Sequence, residues 1–536
     1  MYEIISNTPY SVLIETNEGW VTASNNHNGL WSTTGIEVSM QSVNEQLSIF
    51  VQADEIPLKT LKFRWLNKIE GPISILGDHW ERAYGDLEWR GIVAERVMPW
   101  YFLTHDGEMT QGYGVKTGAK AFCYWQLDAD GITFTADIQC GNEGVLLKGR
   151  QLAVADVITY TSNQGVSPFQ AAKQFCTQMC DSPVLPKQPV YGGNNWYYAY
   201  GNSSHQEILE DSRFISSLAS STTNRPYMVI DDGWQLSSGG GACNGGPWEG
   251  NSLFPEMEKL AEEMKAIGVK PGIWCRPLMT SEEVPEEWVR YKVANGGNIL
   301  DPSVPGALDY IAESVERMVA WGFDLVKHDF TTYDLLGQWG FEMKSHPNIL
   351  PHKFHDQSKT TAEIMLDLYR VLAKAAGSSL TIGCNTVSHL AAGLFEIQRT
   401  GDDTSGKSWE RTRYMGVNTL AFRMAQHDTF YSHDADCIGI TAQIPWELNR
   451  QWLELLAGSG TPLFVSASSS VVTTEQTDAL RKAFDLAANP LPAGEPLDWL
   501  TNTCPSRWLL NGNEVRFQWN LESAELLNGM DNAWWR

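Results

Sequence analysis

Leu325-Val326-Lys327-His328-Asp329-Phe330 begins as an apolar run and ends on charge. Along an extended segment alternate side chains take opposite sides, so Val326 and His328 share one face while Lys327 and Asp329 share the other. A cation beside a carboxylate holds that carboxylate ionised at neutral pH. An ionised, oriented Asp closing a strand is what a nucleophilic carboxylate requires. Whether this strand is one of a series is decided by the chain on either side of it.

From Val190 onward the rhythm is strand, loop, helix. Buried strands are expected at Val190–Trp196, Pro226–Asp231, Val269–Trp274, Phe323–Asp329, Leu380–Cys384, Leu394–Arg399, Asp428–Ser432 and Thr461–Ser466. Helices are expected between them. Pro255–Ile267 carries Met257, Leu260, Met264 and Ile267 on one face, with Gly268 suited to its C-terminal cap. Gly306–Trp321, Thr361–Ala376, Ser408–Met424 and Pro445–Leu456 follow the same period. Eight strands with intervening helices over this length predict a (β/α)8 barrel.

The flanking chain reads differently. Residues 1–165 carry short alternating runs, such as Ser11–Thr16 and Gln46–Val51, punctuated by Asp106-Gly107 and Asp130-Gly131. They predict an antiparallel β-sandwich. Residues 166–189 hold one amphipathic helix, about Pro168–Met179, and a proline-rich linker. The barrel is expected over 190–488 and a small β appendage over 489–536, its clearest strand Glu514–Trp519. The fold class is therefore α/β and multidomain. At 536 residues, 43% apolar and 19% charged, the chain is globular rather than disordered. A formal net charge of -25 argues against nucleic acid and anionic membranes as partners. No stretch approaches the ~20 apolar residues of a membrane helix. Met1–Ile5 has neither a basic start nor an apolar run, so a cytoplasmic location is expected. Nine cysteines, Cys243 among them, form no disulfide pattern, and Cys176 and Cys180 read as two buried thiols.

Barrel chemistry sits at the C-terminal ends of the strands. Here those ends are Asn194-Asn195-Trp196, Asp231-Asp232-Gly233-Trp234, Trp274-Cys275-Arg276, Lys327-His328-Asp329, Cys384-Asn385, Arg399-Thr400-Gly401-Asp402-Asp403 and His433-Asp434-Ala435-Asp436. One Asp after a strand is ordinarily a helix cap. Several from separate strands, mixed with Trp and Arg, suggest a site. Clustered carboxylates can bind metal, but Lys327 and Arg399 bring positive charge to the same place, so no metal and no organic cofactor is expected. The Gly-rich run Ser237–Gly250 lacks the spacing of a phosphate cradle and reads as a loop over the site. Arg399, Gly401 and Asp403 share one side of an extended strand end, so Asp403 is expected to face Asp329, with Asp402 in support. Two facing carboxylates suit glycosidic cleavage. One attacks the anomeric carbon; the other protonates the leaving oxygen and then activates water, with retention of configuration at a separation of about 5–5.5 Å. The acid is expected to have its pKa raised by burial or by a neighbouring charge. Asp329, at a solvent-facing rim, is expected to tolerate replacement by Ala without unfolding.

At these residues the chain resembles the α-galactosidases of glycoside hydrolase families 27 and 36. Its long N-terminal β region favours family 36. The resemblance implies Asp329 as nucleophile and Asp403 as acid/base. It implies Asp231 and Asp232 as ligands of the galactose 4- and 6-hydroxyls, Lys327 as a further hydroxyl ligand and Arg399 as a ligand of the 2-hydroxyl. Trp274 and Cys384, with Trp196, would line the sugar subsite. The implied activity is that of a retaining exo-α-galactosidase (melibiase) acting on α-galactosides, with assembly into homo-oligomers open to it. An α-N-acetylgalactosaminidase, a galactosyl transfer enzyme on the same scaffold, and a catalytically silent carbohydrate-binding protein are the alternatives.

Overall fold

The computed structural model describes residues 4, 7–68, 71–237, 244–468 and 470–520. The rest of the N-terminal stretch Met1–Ile5, Cys243 with residues 238–242 of the Gly-rich run expected to form a loop, and residues 521–536 lie outside these residues.

The N-terminal third forms two antiparallel sheets of six and eight strands. Their alternation is that of half-buried strands. Val12 and Ile14 of Ser11–Thr16 point inward, as do Leu47, Ile49, Val51 and Ala53 of Gln46–Ala53. Phe102 of one sheet meets Trp125 of the other, with ring centroids 5.8 Å apart. The following helix runs Pro168–Met179, capped by Ser167 accepting from the Gln170 amide. Cys176 and Cys180 are buried free thiols.

Beyond the linker lies a nine-stranded parallel sheet. Its strands are β1 (Tyr191–Asn194), β2 (Tyr227–Ile230), β3 (Lys270–Cys275), β4 (Leu325–His328), β5 (Leu380–Gly383), β6 (Ile397–Arg399), β7 (Ser432–Asp434), β8 (Ile438–Ile440) and β9 (Leu463–Ala467). Their order is β7-β6-β5-β4-β3-β2-β1-β9-β8. The two edge strands, β7 and β8, are joined by only Ala435-Asp436-Cys437. The sheet is therefore curled, its edges drawn together by three residues. Helices Met257–Ile267, Pro305–Ala320 and Thr361–Ala376 intervene as the periodicity predicts. Gly268 closes the first at φ 100°, a left-handed conformation that costs glycine little.

Four local expectations are corrected. The seventh strand starts at Ser432 rather than Asp428, because Asp428 adopts φ 62° and its amide bonds the Tyr431 carbonyl, making a turn. The helix expected over Ser408–Met424 is broken by a wide turn at Arg413–Asn418, where Gly416 lies against the Trp452 ring. The C-terminal strand is Asn513–Arg516. Phe517 and Trp519 leave it to stack on each other, and the Trp519 indole donates to the Pro505 carbonyl. Helices His205–Leu218 and Thr474–Ala487 were not expected, although Ser204 and Thr473 cap them by accepting from Glu207 and Gln476.

The N-terminal sheets reach the parallel sheet through residues 78–84. Ala83 pairs with Gly401 as in a parallel ladder, through bonds from the Ala83 amide to the Thr400 carbonyl and from the Asp402 amide to the Ala83 carbonyl, each 2.8 Å. Asp78 binds the fully buried Arg423 at 2.7 Å. That guanidinium also donates to the carbonyls of Glu81 and Thr400.

Candidate active site

A cavity of about 590 Å³ opens at the C-terminal ends of the parallel strands, and all nine sequence-predicted site residues line it. Asp231 and Asp232 follow β2, Trp274 is on β3, Lys327 is on β4 and Asp329 follows it. Cys384 follows β5, Arg399 ends β6, Asp403 stands four residues on, and Trp196 follows β1. The cavity is thus assembled from separate strands brought together by curling of the sheet.

Asp329 is held from three sides. The Trp274 indole donates to Oδ2 at 3.1 Å, the Phe330 amide to Oδ1 at 2.7 Å, and the Asn385 side chain also to Oδ1. Phe330 takes φ 66°, so the chain turns sharply immediately after the carboxylate. Asp329 is only 9% exposed, so the expected solvent-facing rim is corrected to a buried position. Lys327 does lie on the cavity side while His328 faces outward, packed against Phe395 at 4.6 Å between ring centroids. The direct partner of Lys327, however, is Asp231 (Nζ to Oδ2, 2.7 Å). Burial opposes the Lys327 charge, but Asp231 outweighs it and keeps the ammonium. Asp231 also accepts from Asn194 at 2.8 Å. Its neighbour Asp232 accepts from Gln235 at 2.6 Å, and burial, reinforced by the charges of Asp231 and Asp329, pushes its carboxyl up to about 6.

Asp403 belongs to a cationic cluster. Arg399 contacts its Oδ1 at 2.8 Å and reaches Asp436 at the same distance. Arg82, from the N-terminal segment, lies 4.0 Å from Asp403 and 3.1 Å from Asp402. Arg411 binds the other side of Asp402 at 2.8 Å. Burial would raise Asp403, but Arg399, Arg82, Lys327 and Arg411 together hold it below the usual carboxylate range. This corrects the expectation of a raised acid. The reason is the number of cations, one of them supplied from far away in sequence. Asp402 also borders the cavity, its carboxylate held between Arg82 and Arg411.

Trp196 and Trp274 are part of the cavity wall. Trp234 is instead fully buried between Trp248 and Trp321, its indole donating to the Trp274 carbonyl. Cys384 lines the cavity, and burial keeps it a thiol. Sequence reasoning missed Arg82, Trp339 and Tyr197. The Arg82 guanidinium lies over the Trp339 ring at 4.7 Å, and the Tyr197 hydroxyl bonds Asp436. Nothing in the local pattern around Arg82 sets it apart from an ordinary loop arginine. Among the described residues no cluster of His, Cys, Asp and Glu is arranged to hold a metal ion, and no helix is long and apolar enough to cross a membrane.

No family model matches the chain. Solved structures resemble it over most of its length. The α-galactosidase TtGalA of Thermus thermophilus, in complex with p-nitrophenyl α-D-galactopyranoside, is 16% identical over 94% of this chain and 98% of that one, with a TM-score of 0.59. The family 36 α-galactosidases AgaA and AgaB of Geobacillus stearothermophilus are 14% and 13% identical. They cover 89% and 90% of this chain and 75% of each of theirs, with TM-scores of 0.58 and 0.60. In sequence, AgaA is 23% identical over 244 residues, 42% of this chain and 31% of that protein. A probable α-galactosidase B of Talaromyces emersonii is 26% identical over 144 residues, 27% of this chain and 28% of that protein. The matched stretches thus span less than a third of either curated relative. The chain has the fold of the family 36 α-galactosidases.

Proposed function

We propose that this chain is a retaining exo-α-galactosidase that releases terminal α-D-galactosyl residues from oligosaccharides or glycosides. The observation that carries the reading is one cavity holding two carboxylates of unlike surroundings. Asp329 is fixed by neutral donors and Asp403 is ringed by cations. In the first step an Asp329 oxygen bonds to the anomeric carbon as the bond to the leaving oxygen breaks, and Asp403 gives its proton to that oxygen. In the second, Asp403 takes a proton from water, the water oxygen bonds to the anomeric carbon, and Asp329 leaves. The cations around Asp403 favour the carboxylate needed for the second step. The first step draws on the fraction that carries the proton. Asp231 and Asp232 would receive sugar hydroxyls, Lys327 and Arg399 would donate to sugar oxygens, and Trp196, Trp274 and Cys384 would bound the ring. The fold reading that goes with this is a closed (β/α)8 barrel over 190–488, an N-terminal β-sandwich over 1–165, a helix and linker over 166–189 and a small β domain over 489–536.

The resemblance to α-galactosidases supports the sugar chosen. In neighbouring structures α-galactosides are bound: p-nitrophenyl α-D-galactopyranoside and stachyose in TtGalA, raffinose in a variant of AgaA. The test is turnover of nitrophenyl α-glycosides of galactose, N-acetylgalactosamine and glucose, with the anomer of the first product followed by NMR. Release from the galactoside alone, as the α-anomer, is expected. Preference for the N-acetylated substrate, or a first-formed β-anomer, would overturn the assignment.

A further inference from the structure

A second cavity, of about 700 Å³, lies on the outer face of the six-stranded N-terminal sheet. It is built by register. Trp20 stands opposite Glu15, Glu15 opposite Thr60, and Thr60 opposite Asp137, so four neighbouring strands present one row across the same face. A second row, two residues along, brings Lys62 and Tyr124 beside it through Thr135. Trp20 is 47% exposed, and the Lys62 ammonium lies over its ring at 5.0 Å, which helps to fix the indole. Thr60 donates to Glu15 at 2.7 Å. Asp137, almost fully buried, accepts from Gln139 and from Asn348 Nδ2. Asn348 is itself 5% exposed, and its Oδ1 is buried with no hydrogen-bond partner. That oxygen has no surface open to the cavity and Nδ2 is taken by Asp137, so Asn348 braces the wall, and the groups a ligand meets are those of the row led by Trp20, Glu15 and Thr60.

An exposed indole beside fixed hydrogen-bonding groups is the chemistry of sugar recognition: C–H faces stack on the ring while hydroxyls meet carboxylate, amide and hydroxyl partners. The carboxylates of Glu15, Glu95 and Asp137 outnumber the ammonium groups of Lys59 and Lys62, which disfavours an anionic ligand. The wall has one more property. Trp339 and Phe341 border the active-site cavity, while Ser345 and Asn348, a few residues on, border this one. One loop therefore separates the two.

We propose that this cleft is a second saccharide-binding site that holds a neutral oligosaccharide or polysaccharide chain against Trp20 and the row of Glu15 and Thr60 beside it. It holds the chain on the far side of the loop that walls the active site. The inference does not rest on the identity of the sugar cleaved.

Native electrophoresis through gels cast with galactomannan, arabinoxylan or starch tests it, with free galactose added to occupy the first site. The full chain carrying Asp329→Asn is used so that the polymer stays intact. Retardation by at least one of these neutral polymers is expected, and Trp20→Ala added to that chain should weaken it at least fivefold. Glu15→Gln, which keeps the side chain's shape, should also weaken it. In otherwise native protein, Trp20→Ala should leave hydrolysis of a small nitrophenyl glycoside unchanged. Migration unaffected by any of the three polymers, or retardation that survives both substitutions, would overturn the site.

Discussion

Asp329 and Asp403 differ in how much of their environment is local. Asp329 is built from its own strand end, the next strand on one side and the loop after β5 on the other, so an isosteric Asp329→Asn should keep the fold while removing the proposed nucleophile. Turnover should fall by about 10³-fold or more, with an unchanged thermal midpoint by calorimetry; near-normal turnover would remove Asp329 from the chemistry. Asp403 is tuned from a distance. Arg82 stands 4.0 Å away and helps hold it below the usual range. In the role of general acid proposed for it Asp403 acts protonated, so its pKa would set the alkaline limb of kcat/KM. Removing a cation raises that pKa. Arg82→Gln should therefore move the alkaline limb to higher pH, by up to about one unit, and a profile that stays put or moves to lower pH would contradict the role given to Arg82. Asp232 gives a second pH effect. Its carboxyl, pushed up to about 6, loses its charge as pH falls through that value and, in the role proposed for it, would accept sugar hydroxyls less well. KM should rise below about pH 6 in the native protein, and Asp232→Asn should flatten that dependence. All three carboxylates were visible in the sequence because each closes a strand or follows it closely. Arg82 was not, since Asp402 and Asp403 lie more than three hundred residues from it and only the folded chain joins them.

At the scale of the element, β4 shows how far alternation carries. Period 2 puts Lys327 and His328 on opposite faces, and the structure has Lys327 on the cavity side with His328 packed against Phe395 on the other. What alternation left out is the partner: on a curled sheet, Lys327 meets Asp231 of another strand end before the Asp two residues along its own. Helices with glycine stops, such as Met257–Ile267 before Gly268, were legible because cap and period agree. Ser408–Met424 was not, because its periodic pattern says nothing of the turn widened beside Trp452. The outward residue of β4 has a consequence for stability. His328 is buried with neither ring nitrogen bonded, and burial lowers it to about 3. The unfolded chain protonates this histidine below about pH 6.5, whereas the folded chain keeps it neutral. Its contribution therefore favours unfolding progressively as pH falls from about 6.5 toward 3, at about 1.4 kcal/mol per pH unit. His328→Leu should remove that slope. The loss of thermal midpoint between pH 7 and pH 5 should be smaller in the variant than in the native chain, and an equal loss would show that His328 is not the group responsible.

The whole molecule is joined through buried charge as well as apolar contact. Arg423 has no exposed surface. It is bonded to Asp78 on the N-terminal side and to the Thr400 carbonyl just past β6, and Gln426 shares the Asp78 carboxylate at 2.8 Å. The antiparallel and parallel rhythms were separable in the sequence, since one is period 2 and the other alternates strand with helix. How the two parts are fastened was not separable, because a segment such as Asp78-His79-Trp80-Glu81-Arg82 carries no periodicity that announces an interface. This fastening predicts that the two parts unfold together, in one cooperative transition. Asp78→Ala would leave Arg423 buried without its carboxylate, at a cost of about 3–5 kcal/mol. The midpoint of that single transition should fall by several degrees. Because Arg82 is carried four residues beyond Asp78 on the same segment, the substitution should also loosen the cation near Asp403. The alkaline limb of the pH profile should then move upward, as for Arg82→Gln, in protein that is still folded at the assay temperature. Two resolved transitions in the native chain, or an Asp78→Ala protein that is destabilised with an unmoved pH profile, would separate the fastening of the molecule from the tuning of Asp403.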